Sequence, residues 1–462
     1  MAFAADILPI LKEYYGEKDV WNNLFRGSPT LASIEKTRAG GKYYVVPMLY
    51  SRGGNVTGDY SIVAAATSYR GSTKAFQVPY GNSFTWFPIS PKEYNASDMD
   101  AGAFIQIAKE LFFAAGEALR QTNGAAVFGS GLGDLGVVTA VEPVARLTFV
   151  IRQSTAMGLD IGSSVVFAAG PNPTGALRSA AAVVVSSLVD DGAGNITVTV
   201  ATLYDVTVAV GDWVCLYGFR VSTATPLNYY GFRQILPTLG NRTGATWTTY
   251  IGTAFCGVDR SAAPSRLAGE FALRDLAGSE LYSDAIIRGI RAVRRNGGKP
   301  DLIVLNDFDF SKVISELQAY KQYFQKINGP EASEKVDLSL GISAMQFAFS
   351  STWISYVVDD PYCPEGIAYI LEKETWGMAM LSNSKPISEN LPSTNEGGAP
   401  KAAGGDTPPE VYAYNIDDYV AVQPTDTVDG QGARVTLQCF AALFCRQPSH
   451  NAVVKLDVIA TP

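Results

Sequence analysis

Between Tyr43 and Val138 the chain changes its hydrophobic period twice. YYVV (43–46), AFQVPY (75–80) and SFTWFPI (83–89) carry the β-branched and aromatic residues of strands. The polar, glycine-bearing stretch SRGGNVTGDYS (51–61) separates the first two, so residues 43–90 read as a long hairpin with a mobile tip. From 97 to 123 the period becomes helical: Phe104, Ile107, Ala108, Leu111, Ala115, Ala118 and Leu119 share one face. Ser97 and Asp100 form a capping-box pattern. About 26 residues at ~1.5 Å each make a rod of about 40 Å. GSGLGDLG (129–136) then reverses the chain into β structure.

Either side of this stretch the pattern is more varied. Residues 1–42 read as an N-terminal arm, with Ile7, Leu8, Ile10, Leu11, Tyr14 and Tyr15 on a face interrupted by Pro9, and WNNLF (21–25) as an anchor. Residues 140–260 are a series of short β runs, RLTFVI, SVVFAA, AAVVVSSLV, NITVTVATL and DWVCLYG, parted by Gly, Asp and Asn turns. They predict an all-β barrel or sandwich. Residues 261–385 turn α/β, with a helix near 278–296 stopped by Gly297, a buried strand LIVL (302–305) and a helix capped by Asp307. Residues 382–410, rich in Ser, Pro, Gly and Asn, read as a long loop. VYAYNI, VTLQCFAALF and AVVKLDVI close the chain as strands, and no internal repeat is evident.

Composition narrows the function. The 462 residues are 47% hydrophobic and only 17% charged, which suits a subunit whose surface is covered by partners. A net charge of −8 and a pI near 5.0 lack the basic signature of a nucleic-acid binder. Five scattered cysteines without a C-x-x-C pair read as buried apolar residues in a reducing cytoplasm. MAFAADILPILKEYY has no basic leader pattern, and no apolar run approaches the ~20 residues that span a bilayer, so no membrane association is expected.

Catalytic patterns fail one by one. The single histidine, His450, lies among Pro448, Ser449 and Asn451 and reads as a surface turn residue, which leaves no Ser–His or Cys–His pair elsewhere. GLGDLG matches G-x-G-x-x-G but follows a helix and precedes strands, the reverse of a dinucleotide site. No phosphate-loop or G-x-S-x-G motif occurs. Acidic pairs such as Asp307/Asp309 and Asp359/Asp360 read as caps, turns and solvated faces. Arg288, Arg291, Arg294 and Arg295 could bind phosphate, but they cluster where cations complement a helix C-terminus, which is the leading reading, with an inter-subunit salt bridge as a second. No catalytic, cofactor or metal residue is assigned. Arg52, Asp59, Arg70 and Lys74 at the hairpin tip are the candidate inter-subunit contacts, setting register if the hairpin docks on a neighbour.

This order of parts resembles the major capsid protein of tailed bacteriophages, whose fold is shared with encapsulins and the herpesvirus capsid floor. The resemblance rests on the arm and hairpin, the helix ending in AAVFGSGLGDLG, and the stretches FCGVDRSAAPSRLAG and PDLIVLNDFDFSKVISELQ. It implies an α+β fold with an N-terminal arm (1–42), an extended loop (43–96), a spine helix and the start of the peripheral domain (97–139), a β-rich insertion domain (140–260), an axial domain (261–410) and closing peripheral strands (411–462). It further implies a structural, non-enzymatic subunit that self-assembles through hexamers and pentamers into an icosahedral shell. The shell encloses phage DNA, touched only non-specifically. Portal, scaffold and decoration proteins would be its partners, and the virion its location, with assembly in the host cytoplasm. An encapsulin-like nanocompartment is the alternative. A hydrolase with a β accessory domain and a β-rich adhesin or tail component fit less well.

Overall fold

The computed structural model describes residues 28–51, 58, 72–89, 101–153, 158–170, 175–179, 181–192, 194–220, 227–236, 255–260, 264–275, 280–318, 345–350, 353–381, 414–417, 420–426 and 433–457. The apolar face of the N-terminal arm, WNNLF, the Ser97/Asp100 pair and the 382–410 loop lie outside them.

One mixed sheet is built around the 13-residue strand β19 (Ala433–Cys445). Along one edge β19 pairs with β18 (Val420–Asp426), which is followed by β17 (Tyr414–Asp417), and further on with β16 (Trp376–Leu381). β1 (Glu35–Ala39) joins β16 in parallel, and β4 (Gly81–Ile89) takes the other edge of β19. Burial along β19 explains its place. From Arg434 to Cys439 alternate residues are buried, as in a sheet covered on one face; from Ala441 to Cys445 every residue is buried.

The spine helix α2 (Ala101–Phe128) lies against β4 and runs five residues beyond the expected end. Asn123, buried near its end, accepts a hydrogen bond from Ser83 Oγ of β4 (3.0 Å) through its side chain and from the Tyr229 hydroxyl (2.6 Å) through its carbonyl. Gly131 and Gly133 then adopt φ of 89° and 67°, conformations that glycine alone enters cheaply, and the chain passes into β5 (Asp134–Val141). Asp134 holds this turn. Its Oδ1 accepts from Ser130 N and Oγ at 2.8 and 2.7 Å, and its Oδ2 pairs with Arg233 at 2.7 Å. Both charges are nearly buried, and the guanidinium also stacks 4.3 Å from the Trp213 ring centroid.

β5 opens a closed barrel in the order β10 (Trp213–Leu216), β5, β6 (Thr148–Arg152), β9 (Asn195–Val200), β8 (Val183–Asp190) and β7 (Ser164–Ala168). Phe149, Phe167 and Tyr204 meet edge-on or tilted inside it, 5.1–6.3 Å apart. Its strands begin at Asp134, earlier than expected, so residues 134–139 belong to the barrel, and they end at Leu216. Tyr229, Phe232, Ile235, Phe255 and Val258 return to the main core instead. α3 (Phe232–Ile235) docks there because Phe232 packs on Phe128 and Trp376, with ring centroids 5.5 and 4.6 Å away. A Cβ at Gly231 would lie 2.3 Å from Ala126 O, so only glycine permits this approach to the end of α2.

The barrel is latched by Asp212, which receives both forks of Arg178 (2.8 and 2.7 Å) and the Ala209 and Gly170 amides (2.8 and 3.1 Å). Burial pushes its carboxyl up, but these hydrogen bonds, led by Arg178, outweigh that and hold it below the usual carboxylate range. Asp212→Ala should cost about 2–3 kcal/mol, the range for hydrogen bonds to a charged group, in urea unfolding of the subunit. A loss under about 0.5 kcal/mol, the scale of an ordinary surface change, would show the latch to be dispensable.

The second sheet runs β11 (Glu270–Leu273), β20 (Ala452–Lys455), β15 (Ile367–Leu371), β12 (Leu302–Leu305), β14 (Trp353–Asp359) and β13 (Met345–Ser350). α4 (Pro264–Leu267) precedes β11. α5 (Tyr282–Arg295) lays Ala285, Ile286, Ile290 and Val293 on Ile303, Ile370 and Val454, while Leu302, Val304, Tyr369 and Val453 face the main core. The LIVL strand is therefore buried on both faces, as its unbroken apolar run predicts.

Three expectations are corrected here. Trp376–Leu381 crosses to the first sheet, and Ala452–Lys455 leaves β19 for the second sheet after a 3₁₀ turn at Pro448–His450. α6 (Asp307–Gln318) is capped by Asn306, not by Asp307: the Asn306 side chain accepts from Phe308 N (3.1 Å). Asp309 and Asp360, read with the other acidic pairs as caps, turns or solvated faces, are both fully buried.

Asp360 ties the start of α1 (Pro29–Ser33) to the body, accepting from Ser28 Oγ (2.7 Å), Thr30 N (3.2 Å) and Tyr362 N (3.0 Å). Burial is the largest influence and pushes its carboxyl above the ordinary range despite these donors. The folded chain thus keeps this proton longer than the unfolded chain does. As pH rises from about 4 through the raised value, the unfolded chain loses the proton first and stability falls. Asp360→Asn should flatten part of that fall in urea midpoints measured across pH; equal slopes would remove Asp360 from the account.

Candidate assembly surface

The hairpin consists of β2 (Tyr43–Ser51) and β3 (Ser72–Pro79), paired antiparallel with Val45 opposite Gln77 and Met48 opposite Lys74. Its period-2 pattern buries Val46, Met48, Phe76 and Val78 and exposes Tyr43, Val45 and Pro47. The buried face is seated on its own subunit. Phe76 packs edge-on to Phe255 (5.7 Å between centroids), Tyr44 lies 4.5 Å from Phe444, and Gln77 N donates to Cys256 O at 2.9 Å. Half of this hairpin base is therefore core, and the other half is a surface.

Of the four candidate contacts, Arg52, Asp59 and Arg70 lie outside the described residues. Lys74 is not at the tip but in β3, exposed.

A second surface escaped the sequence reading. On β4, Ser83 and Phe87 are buried, while Phe84 and Trp86 point outward, 52% and 57% exposed. Phe84 stacks edge-on against Phe440 at 5.7 Å, and the Arg434 guanidinium lies 4.8 Å from the Trp86 ring centroid. Exposed aromatics beside an arginine have the chemistry of an interface hot spot. The signal was present in SFTWFPI: strict alternation places Phe84 and Trp86 on the face opposite Ser83 and Phe87.

A third feature is an open groove of about 760 Å³ between the hairpin and the body. Residues Tyr44–Met48 form one wall, and Arg266, Arg295 and Arg446 stand along the other with His450. His450 is no plain surface turn. Its side chain is 20% exposed, and Nδ1 lies 2.8 Å from Glu372 Oε2. Of the arginine cluster, Arg288 pairs within the chain with Glu280 at 3.1 Å.

Burial pushes the Cys215, Cys439 and Cys445 thiols up to about 12, far from the thiolate that a nucleophile needs. Asp309 takes the Gly366 amide and Lys312, which also binds Asp457 at 3.0 Å, and so joins α6 to the end of the chain. Among the described residues no group of three or more His, Cys, Asp or Glu could hold a metal, and no helix is long and apolar enough to cross a membrane.

No family model and no curated protein sequence matches the chain. Solved structures do. The capsid asymmetric unit of cyanophage A-1(L) aligns over 93% of this chain and 92% of its own at 13% identity, with a TM-score of 0.51. A Mycobacterium phage Bobi structure aligns over 98% of each chain at 10% identity and a TM-score of 0.40. The encapsulin of the holo-SrpI complex from Synechococcus elongatus aligns over 94% and 90% at 8% identity and a TM-score of 0.40. The chain has the α+β fold of phage major capsid proteins.

Proposed function

We propose that this chain is the shell-forming subunit of a tailed-phage capsid, a structural protein and not a catalyst. The observation that carries the reading is the fold shared with the cyanophage capsid subunit along nearly the whole of both chains. The exposed half of the hairpin and the Phe84–Trp86 face supply surfaces for neighbours. Copies associate as hexamers and pentamers through several modest contacts at once. Each buries apolar area worth ~25 cal/mol per Å², and closure multiplies them. Arg52, Asp59, Arg70 and Lys74 are proposed as rim contacts of the hairpin. The acidic net charge keeps the wall from trapping packaged DNA. Portal and scaffold proteins, and a decoration protein on the barrel, are the proposed further partners, and the virion is the proposed location.

Electron microscopy and sedimentation of the purified chain, with scaffold co-expressed if required, test this. Closed shells, capsomers or sheets are expected. A chain that stays monomeric at every concentration and with every scaffold tried would refute it.

A further inference from the structure

Hydrogen bonding fixes which edge of the hairpin is open. In an antiparallel pair, opposed residues alternate between exchanging both main-chain hydrogen bonds and exchanging none. Gln77 N donates away from β2, to Cys256 O, so Gln77 and its opposite residue Val45 form a non-bonded pair. The N–H and C=O of Val45 therefore face away from β3. By the same alternation so do those of Tyr43, while Pro47 offers only its carbonyl. Among the described residues β2 pairs with β3 alone, and the wall of the 760 Å³ groove is the consecutive run Tyr44–Met48. A run lining a groove with residues of both faces presents its edge there. Pro47 fits such an edge, because its missing N–H would point outward.

The opposite wall is cationic. Arg266 comes from α4, Arg295 from the last turn of α5, and Arg446 from the residue after β19. Arg295 and Arg446 are exposed, and among the described residues no carboxylate lines the groove, although the chain as a whole carries a net −8. An open strand edge facing the exposed Arg295 and Arg446 suits one occupant chemistry: an extended acidic segment. Its backbone would add to β2, and its carboxylates would meet the guanidinium groups. An acidic chain that assembles with itself supplies such segments at the highest local concentration.

We propose that this groove receives an extended acidic segment of a second copy of the chain as a third strand on the free edge of β2. The inference rests on the self-assembly reading and names one of its contact sites.

Two variants separate the backbone and charge contributions. Val45→Pro deletes an outward N–H without touching a β2–β3 hydrogen bond, and Val45→Thr keeps it. Arg295→Glu with Arg446→Glu reverses two exposed charges. Each is purified in the full chain, checked by thermal melting and assayed for particles by sedimentation and electron microscopy. Val45→Pro and the double arginine variant should melt as wild type and give at least tenfold fewer particles, while Val45→Thr assembles normally. Wild-type particle yields from Val45→Pro or from the arginine pair would overturn the groove proposal and leave the capsid reading standing. A wild-type chain that never associates would overturn both. Binding to random-sequence duplex DNA is measured alongside. Arginine variants that lose DNA binding but assemble normally would assign the groove to phosphate and overturn the proposal.

Discussion

Replacing Arg233 with methionine should cost the isolated subunit about 3–5 kcal/mol in urea unfolding, the range for removing one partner of a buried ion pair. Asp134 and Arg233 have side chains only 1% and 9% exposed, so water does not rescue the abandoned carboxylate. The damage is local but central. Asp134 holds the glycine turn at the end of the spine helix, and Arg233 sits on α3, which packs beneath that end. The same variant also loses the stacking on Trp213, at the start of the last barrel strand. Adding Asp134→Asn to Arg233→Met should recover part of the loss, because a neutral amide is cheaper to bury than an unpaired charge. A single-variant loss under 1 kcal/mol would mean that water or a shifted donor replaces the guanidinium.

Deleting residues 52–71 and closing the hairpin with Asn-Gly should leave the subunit folded and abolish closed shells. The deletion starts after β2 and stops before β3, so Val46, Met48, Phe76 and Val78 keep their places in the core. Asn-Gly provides the left-handed conformations that a two-residue hairpin turn requires. Circular dichroism and melting temperature close to wild type, with only capsomers or monomers in electron micrographs, is the expected outcome. Wild-type shells from this deletion would show that the reaching segment of the subunit lies elsewhere.

Much of the fold was legible because local pattern and tertiary environment agree. The long helix, with Ala115 and Leu119 buried, the β runs of the barrel and the LIVL strand all appear where periodicity places them. The misplacements share one cause. WGMAML and the AVV of AVVK are apolar without interruption, and such a run says that a strand is buried without saying in which sheet. Partners distant along the chain decided it: β16 pairs with β1 and β19, and β20 inserts between β11 and β15. The burial of these carboxylates escaped the sequence for the same reason. Asp360 is enclosed by Ser28 and Thr30, more than 300 positions away.

The candidate surface divides in the same way. Strand alternation in residues 43–48 and 83–88 carries the signal that one face turns inward and the other outward, although the β4 face was found only in the structure. By itself the sequence determined the order of elements, the long helix and the glycine reversal, since each depends on neighbours within a few positions. Only the tertiary structure decided that the hairpin base rests on Phe255 and Phe444. It alone set the open edge of β2 against Arg266, Arg295 and Arg446, and joined Asp134 to Arg233. Those contacts link residues roughly 100 to 400 positions apart. Packing and charge pairing across such distances come from the closed fold, and no local period carries them.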